Sequence, residues 1–377
     1  MINPRTITII AGTLNAFGGG ELVTLASLET LKEIFPSSRI FLKTLDIPDM
    51  KSLCKIFGDM CLALRGVAWN PLGLVVSNSI HRAIPISIFT SSLLNIFGSR
   101  NLLINLSADT YPIPAHVCYV HFPYFAVREY SGLSFRSVVR KATSLELLKL
   151  CKIVLANSSF TKEVICNTSP QLCKKTFILY PPITIRPLDP AHFSQTLHQR
   201  KPIVVTISRF SREKKLETLF EVARLTPEAK FVLIGSLRDK AYYKELNEEA
   251  KRIGNVELHP NAPASEVLEI MRKGMIYLHT MPYEHFGIAV VEAMSQGLVP
   301  VVHRSGGPWR DILECSEGLY GYSYVSSEMA SSKIRVLVND RTLYTRIAVN
   351  AIKKSMRFTL EEFKKEFSKL LVGLLNE

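Results

Sequence analysis

Short apolar runs alternate with helix-like segments along almost the whole chain, and this alternation constrains the fold more than any other feature. The run ITIIA at 7–11 indicates a buried strand, and ELVTLASLETLKEIF at 21–35 carries leucines at helical spacing. The pattern returns in the strand-like runs RIFLKTL, LGLVVSNS, HVCYVHFP and CKIVLANSS. Short apolar strands that alternate with helices predict a parallel sheet covered by helices on both faces.

One proline-rich segment, YPPITIRPLDPAHF at 180–193, interrupts the alternation, which restarts at IVVTISRF. A chain of 377 residues is long for one hydrophobic core, so two domains are expected. We therefore predict an α/β protein with a Rossmann-like domain at 1–183, a linker at 184–199 and a second domain at 200–355. A C-terminal helix at 356–377 is predicted to pack back across the domains.

Composition describes a globular protein, with 47% hydrophobic and 21% charged residues. No uninterrupted apolar run reaches the roughly 18 residues of a spanning helix. The cysteines are scattered without paired spacing, which predicts reduced thiols in a cytoplasmic protein.

The net charge is +13, and most of the excess lies in the first half of the chain. An excess of this kind suits an anionic partner such as lipid headgroups, a diphosphate or nucleic acid, although a generally solubilising surface is the alternative. The segments 82–100 and 134–152 combine apolar and basic residues and could lie in the headgroup plane of a membrane. The alternative is that both are core or domain-packing helices.

Several distinctive residues fall at predicted strand-to-helix turns, where ligands bind in open parallel sheets. The glycine run 18–20 would let the backbone approach a phosphate, with a plain tight turn as the alternative. The dinucleotide pattern G-x-G-x-x-G is missing, which disfavours a dehydrogenase. Arg209 and Lys214 follow the first strand of the second half, where two cations could bind a diphosphate. A solvated basic loop is the alternative.

Two glutamates, Glu284 and Glu292, flank Gly287 at the start of an apolar helix. Burying an unpaired carboxylate is costly, so both need partners. The helix N-terminus at Gly287 would offer N–H groups to a diphosphate. Glu292 lies about 7.5 Å further along the axis, at about 1.5 Å per residue, which suits ribose hydroxyls. Glu284 would then face the sugar, so the pattern predicts a sugar nucleotide.

Six short motifs span nearly the whole chain: GGGE (18–21), YVHFP (119–123), ANSSFTKEVI (156–165), SRFSREK (208–214), EHFGIAVVE (284–292) and SGGP (305–308). In type and order they resemble the retaining glycosyltransferases of family four. The wording of EHFGI, SGGP and HFP is most similar to the mannosyltransferases that build dolichol-linked oligosaccharide on the cytosolic membrane face. The resemblance implies a GT-B fold, in which two Rossmann-like domains face each other across a cleft.

The resemblance also implies roles for individual residues. The implied catalytic residues are His121, Arg209, Lys214 and Glu284. The implied donor-binding residues are Gly19, Gly20, Arg209, Lys214, Glu284, Phe286, Gly287, Ile288, Ala289 and Glu292. The usual Glu-Lys-Gly of the family is here Glu213-Lys214-Lys215, which leaves open which lysine faces the phosphate.

The remaining histidines carry weaker signals. Three of them, His259, His279 and His303, lie at predicted strand ends without metal-ligand spacing and are expected to be structural. Whether His285, next to Glu284, touches the donor is left open.

The implied reaction transfers a hexose, mannose from GDP-mannose, with retained configuration to a lipid-linked oligosaccharide or glycan acceptor. The enzyme would be cytoplasmic, peripheral on an anionic membrane surface. A UDP-hexose-dependent glucosyl- or galactosyltransferase of polysaccharide synthesis is one alternative. A nucleic-acid-binding protein is another, disfavoured because no binding motif accompanies the basic charge. No cofactor or metal is expected, since Asp-x-Asp is absent and cationic side chains with helix N-termini would stabilise the diphosphate instead.

Overall fold

The computed structural model describes residues 4–69, 101–124 and 135–376. The chain divides into two units, one made of Met1–Pro182 with Leu360–Glu377 and the other of Ile183–Thr359. Elements are numbered below in chain order among the described residues.

The first unit is built on a parallel sheet. Its strands are β1 (Thr6–Ile10), β2 (Arg39–Lys43), β3 (Ala68–Trp69), β4 (Asn101–Asn105), β5 (Val117–Val120), β6 (Ile153–Ala156) and β7 (Thr176–Ile178). They lie in the order β3-β2-β1-β4-β5-β6-β7. Strand β1 is central, and its Thr6 is in register with Arg39 on one side and Asn101 on the other.

Helices connect these strands. They are α1 (Gly19–Ile34), α2 (Met50–Phe57), α3 (Phe135–Lys149), α4 (Ser159–Thr168) and α5 (Pro170–Cys173). Local sequence explains where several of them begin. Asp49 caps α2 by accepting from two backbone N–H groups of its first turn, and Ser158 caps α4 through the N–H of Thr161.

The second unit repeats the design. Its strands are β8 (Ile203–Ile207), β9 (Lys230–Gly235), β10 (Val256–Pro260), β11 (Ile276–His279), β12 (Val299–His303) and β13 (Tyr322–Tyr324). Its helices are α6 (Pro190–Gln195), α7 (Glu217–Leu225), α8 (Lys240–Ile253), α9 (Ala264–Lys273), α10 (Ile288–Ser295), α11 (Ser327–Asn339) and α12 (Arg341–Ser355).

The strand order in the second unit is β10-β9-β8-β11-β12-β13, and each neighbouring pair is parallel. The order changes direction between β8 and β11, so their carboxyl ends form a topological switch point, where open α/β sheets bind ligands. The loops that leave this point carry Arg209, Lys214 and Glu284. The two parallel sheets confirm the predicted α/β fold class.

The last helix, α13 (Leu360–Asn376), packs in the first unit. It buries Phe363, Phe367 and Leu371, and the ammonium of Lys364 lies 2.6 Å from carboxylate oxygens of both Glu29 and Glu33 on α1. The first unit is therefore assembled from two separate parts of the chain.

The cysteines are paired, so the expectation of reduced thiols is wrong. Disulfides join Cys54 to Cys61, Cys118 to Cys151 and Cys166 to Cys173, whereas Cys315 is free and exposed. Pairing depends on Cα–Cα separations, here 5.1, 6.3 and 4.6 Å, which follow from how the elements pack. Two of the pairs share a sequence separation of 7, a regularity that the sequence reading missed.

Of the two segments that suggested membrane contact, the structure describes residues of only the second. Residues 82–100 lie outside the described residues. Residues 134–152 contain α3, whose Leu148 is buried in the core of the first unit. Among the helices that the structure describes, none has the length and apolarity that a bilayer crossing requires. Contact with an anionic membrane surface stays a prediction.

Candidate functional site

The start of α10 is shaped by Gly287. Its φ of 98° and ψ of 60° lie in the left-handed region, which favours glycine. A Cβ there would also come within 3.0 Å of Pro308 and 3.2 Å of Val290. The helix therefore begins at Ile288, and the first N–H groups of a helix, here those of Ile288 and Ala289, have no partner within it. The N-terminus of α10 can thus bind an anion.

The SGGP motif supports the loop before α10. A Cβ on Gly306 would lie 2.3 Å from the carbonyl oxygen of Glu284, and one on Gly307 would lie 2.3 Å from that of His285. The two glycines let the chain after β12 lie directly against this backbone, and the N–H of Gly307 donates to the Glu284 carbonyl over 2.8 Å. Ser305 accepts from the N–H of Tyr283 over 2.8 Å.

The side chain of Glu284 is the centre of a buried charged cluster. The Lys214 ammonium lies 2.7 Å from Glu284 Oε2, and both side chains are only about one-sixth exposed, at 17% and 16%. His279 Nε2 lies 3.6 Å from the same oxygen. Burial alone would raise the pKa of Glu284, but His279 and the Lys214 charge outweigh it and hold that pKa well below its usual range. The carboxylate is therefore ionised at neutral pH.

The backbone decides which lysine reaches Glu284. A short 3₁₀ turn at Arg212–Lys214 is followed by Lys215 with φ 51° and ψ 46°, the left-handed conformation that suits the glycine of the family pattern. Thr280 Oγ1 donates to the carbonyl of Lys214 over 2.7 Å and ties this turn to the end of β11. Lys214 is therefore the lysine that points at Glu284.

Arg209 is held less tightly. Its guanidinium lies 3.5 Å from the carboxylate of Glu213, and its side chain is half exposed. Exposed ion pairs of this kind are weak, so the guanidinium can turn to an anionic ligand. The loop is placed by Gly235, where a Cβ would overlap the Ser208 carbonyl oxygen at 1.7 Å.

Glu292 lies on α10 and has a partner that sequence reasoning missed. Its Oε1 accepts from the hydroxyl of Thr184 over 2.8 Å and from the Thr184 N–H over 3.4 Å. Burial raises the pKa of Glu292, and the bonds from Thr184 partly oppose that rise. Thr184 lies in the proline-rich segment, where a single threonine carries no signal in sequence.

In the first unit the structure brings Gly20 and His121 together. A Cβ on Gly20 would lie 3.5 Å from His121 Nε2, an ordinary contact distance, so the first turn of α1 lies directly beside the histidine ring. His121 Nε2 lies 3.1 Å from the Leu106 carbonyl, and Glu21 accepts from the Gly18 N–H over 2.6 Å, which fixes the start of that helix. Gly19 is the first residue of α1.

Other expected residues have different environments. The ring of Phe286 is buried and packs edge-on against Phe358, with centroids 5.4 Å apart, so any contact with a donor falls to its backbone. The backbone N–H of His285 donates to Glu284 Oε1 over 3.2 Å, and contact of the His285 ring with a donor stays an open prediction.

His279, expected to be a structural or loop residue, lies 3.6 Å from the carboxylate of Glu284, a contact that the sequence did not indicate. His303 and His259 bond to Ser305 and Glu266, at 2.7 and 2.6 Å respectively. Within the described residues, no group of three or more His, Cys, Asp or Glu side chains is arranged to hold a metal ion.

Comparison with known proteins relates the second unit to a family. The model of the family "Glycosyl transferases group 1" matches residues 189–354, which include Lys214, Glu284 and Glu292. This match confirms the prediction of a glycosyltransferase, and the cluster at the switch point lies inside the matched residues.

Two relatives of this chain carry the name GDP-Man:Man(3)GlcNAc(2)-PP-Dol alpha-1,2-mannosyltransferase. The protein of Dictyostelium discoideum is 25% identical over 302 residues, 69% of this chain and 59% of its own length. That of Mus musculus is 32% identical over 236 residues, 57% of this chain and 47% of its own. The chain thus spans about half the length of these relatives, and the predicted similarity to dolichol-pathway mannosyltransferases is confirmed.

Solved structures show the fold. Anabaena HepE in complex with UDP and glucose superposes with a TM-score of 0.73 at 18% identity, over 98% of this chain and 100% of its own. WaaG, a glycosyltransferase of lipopolysaccharide biosynthesis, gives 0.68 at 14% identity with the same coverage. The predicted fold class, GT-B, is thereby confirmed.

Proposed function

We propose that this chain transfers mannose from GDP-mannose, with retained anomeric configuration, to a lipid-linked oligosaccharide. The name that these relatives carry supports GDP-mannose as the donor and a lipid-linked oligosaccharide as the acceptor. The observation that carries the chemistry is the arrangement at the switch point. There, the residues that match the glycosyltransferase family place the cation of Lys214 against the carboxylate of Glu284. The N-terminus of α10 comes next along the chain, and α10 carries the second carboxylate, Glu292.

Each of these groups has a role in the proposal. Arg209 and Lys214 neutralise the diphosphate as the bond between the anomeric carbon and the phosphate oxygen breaks. The N–H groups of Ile288 and Ala289 bind phosphate oxygens, and Glu292 accepts hydrogen bonds from ribose hydroxyls.

The other groups serve the transferred sugar. Glu284 accepts from its hydroxyls while the acceptor hydroxyl attacks from the face that the diphosphate leaves, and the acceptor proton departs with the diphosphate. We propose that Gly19 and Gly20 of the first unit approach the donor phosphate or its sugar and that His121 lies beside the sugar, as the family resemblance implies.

The proposed reaction needs no metal. The sequence contains no Asp-x-Asp pair, and cationic side chains with a helix N-terminus can stabilise the leaving diphosphate. We expect transfer to continue in excess EDTA. Activity that is lost in EDTA and restored by Mg²⁺ or Mn²⁺ would contradict this part of the proposal.

We further propose that the protein works peripherally on an anionic membrane surface, because its proposed acceptor carries a lipid and its first half is basic. The cytoplasmic side is the expectation from the resemblance. Disulfides are rare in a reducing cytoplasm outside hyperthermophiles, so the three disulfides count against the cytoplasmic side. Labelling of accessible residues in sealed membranes from the source cell tests the side.

Titration calorimetry and transfer assays test the function. We expect binding of GDP in preference to UDP, and transfer of mannose from GDP-mannose to a lipid-linked acceptor. Arg209→Ala and Lys214→Ala should each slow transfer roughly a hundredfold, because losing one such charge costs about 3 kcal/mol. Glu292→Ala should weaken GDP binding, and Glu284→Ala should spare that binding and damage transfer.

The matched control is Arg212→Ala. Arg212 is a half-exposed arginine of the same loop that pairs with Glu245, away from the cluster, and its loss should leave transfer near the wild-type rate. If the protein prefers UDP and UDP-glucose, the proposal of mannose transfer is wrong and a UDP-hexose-dependent glucosyl- or galactosyltransferase is the better interpretation. Near-normal transfer by both Arg209→Ala and Lys214→Ala would refute the proposed site.

A further inference from the structure

Lys214 and Glu284 neutralise each other, yet the proposed function assigns them to different parts of the donor. Lys214 Nζ lies 2.7 Å from Glu284 Oε2, so the ion pair is direct. When Lys214 binds a diphosphate, its three N–H donors are drawn towards phosphate oxygens and away from the carboxylate. Diphosphate binding therefore weakens the ion pair between Glu284 and its main partner, Lys214.

Without Lys214, the Oε2 oxygen of Glu284 would lack a hydrogen-bond donor, whereas Oε1 keeps the N–H of His285. Only 16% of the Glu284 side chain is exposed, so water offers little compensation. Removing one partner of a buried ion pair strands the other charge at considerable cost. A carboxylate that is to accept from sugar hydroxyls must also keep its orientation, and a second donor is required to hold it.

His279 is placed to supply that donor. Its Nε2 lies 3.6 Å from the same Glu284 oxygen that Lys214 contacts, just beyond hydrogen-bond distance. Its side chain is 11% exposed, and its Nδ1 is buried without a hydrogen-bond partner among the described residues. The backbone is fixed, because His279 is in register with Val302 of β12 and its carbonyl accepts from Tyr324 over 2.8 Å.

Other charged and titratable groups surround His279 without replacing it. His303, at the end of the next strand, has its pKa lowered by burial and by His279, and its Nδ1 is engaged with Ser305. The backbone N–H of His285 donates to the other carboxylate oxygen, Glu284 Oε1, over 3.2 Å, and so leaves Oε2 to Lys214 and His279. Tyr277 donates its hydroxyl to the Ile207 carbonyl over 3.1 Å.

We propose that His279 is a positioning residue that takes over as hydrogen-bond donor to Glu284 when Lys214 engages the diphosphate. A sub-ångström movement converts its present contact into a hydrogen bond. The carboxylate then stays ionised and oriented towards the sugar while the lysine neutralises the leaving group. This inference rests on the proposed function for its role in transfer, but the exchange of partners can be tested without a substrate.

The first test measures urea unfolding of the full chain. Lys214→Met takes the ammonium away from Glu284, as binding of Lys214 to a diphosphate would. His279 should therefore contribute more to stability in the Lys214→Met background. We expect His279→Leu to lower the unfolding midpoint at least twice as much in Lys214→Met as in the wild type. Equal shifts in both backgrounds would overturn the proposal. If Lys214→Met does not fold, Lys214→Gln takes its place in the same comparison.

Two controls sharpen this test. His259→Leu removes another strand-end histidine that contacts carboxylates, those of Glu257 and Glu266, away from Lys214. Its midpoint shift should be the same in both backgrounds. His279→Gln places an amide donor near the position of Nε2 and should restore most of the lost midpoint in Lys214→Met; no restoration would count against hydrogen-bond donation.

The second test uses GDP-mannose and a lipid-linked acceptor. His279→Leu should leave the Kd for GDP within about twofold and lower kcat roughly tenfold or more, with His279→Gln recovering most of kcat. Equal losses in GDP affinity and kcat would overturn a role through Glu284. A wild-type protein that transfers no sugar would refute the proposed function, and the unfolding series would still decide the exchange of partners.

Discussion

At the scale of single residues, the loop of Lys214 contains a built-in strain. Lys215 adopts a left-handed conformation that costs a non-glycine residue about 1–2 kcal/mol, whereas glycine there loses about 0.5–1 kcal/mol of extra chain entropy. The balance favours glycine. We expect Lys215→Gly to raise the free energy of unfolding by about 0.5–1 kcal/mol in urea titrations.

Lys215→Ala is the matched control for this prediction. It removes the same side chain but keeps the strained backbone, so it should change stability little. An equal gain in both variants would assign the effect to the lysine side chain and not to the backbone.

A pH dependence follows from Glu284. Its pKa is held well below the ordinary glutamate value, so its contribution to stability is fully present above the unfolded pKa of about 4.3 and is lost as the pH falls towards the folded value. We expect the stability difference between the wild type and Glu284→Gln to be constant from about pH 6 upwards and to shrink below about pH 4.3. A difference that does not vary with pH would show that Glu284 is not ionised by its partners.

The sequence motifs predicted which charged residues belong to the site, but they did not predict that Lys214 and Glu284 form an ion pair. Lys214 and Glu284 stand 70 positions apart, and the contact arises because β8 and β11 are neighbours in the sheet. His279 and Thr184 carried no motif at all, since only tertiary structure shows which carboxylate each one meets. The left-handed Lys215 could be anticipated from the family glycine that it replaces.

At the scale of elements, the proline-rich segment is fastened to α10. Thr184 bonds to Glu292, the Arg186 carbonyl accepts from Gln296 over 3.0 Å, and the Leu188 N–H donates to Ser295 over 2.9 Å. The segment therefore lies along the helix whose N-terminus is the proposed phosphate site. A change in this segment can reach the nucleotide through the orientation of Glu292.

Thr184→Val tests that connection. It preserves shape but removes the hydroxyl bond to Glu292, a loss of about 1 kcal/mol, so we expect GDP affinity to fall roughly fivefold in calorimetry. Thr184→Ser keeps the hydroxyl and should bind GDP like the wild type. If Thr184→Val weakens binding equally in a Glu292→Gln background, the effect does not pass through Glu292.

Element types were predictable from sequence because their signals are local. The apolar alternation predicted both parallel sheets, and the helix predicted to start at Gly287 is α10, which follows that glycine at its φ of 98°. The Gly306–Gly307 pair was visible as a motif, but its function was not. Only the fold shows that these glycines admit the backbone of Glu284 and His285.

At the scale of the whole molecule, the disulfides make a direct prediction. With six of the seven cysteines paired, unfolded protein without reductant should expose one reactive thiol, Cys315, and reduced protein should expose seven. Reduction should also lower Tm, because native disulfides contribute about 2–4 kcal/mol each. Cys315→Ser should show no reactive thiol before reduction. Seven reactive thiols without reductant would contradict the pairing.

The return of α13 to the first unit has a consequence for the order of synthesis. The second unit is one uninterrupted stretch, 183–359, inserted into a first unit whose last helix is residues 360–376. A ribosome therefore synthesises all of the second unit before it adds the helix that completes the first, although the first is begun earlier. Until that helix emerges, Glu29 and Glu33 lack the lysine that joins them to α13, and the first unit stays unfinished for the whole synthesis of the second.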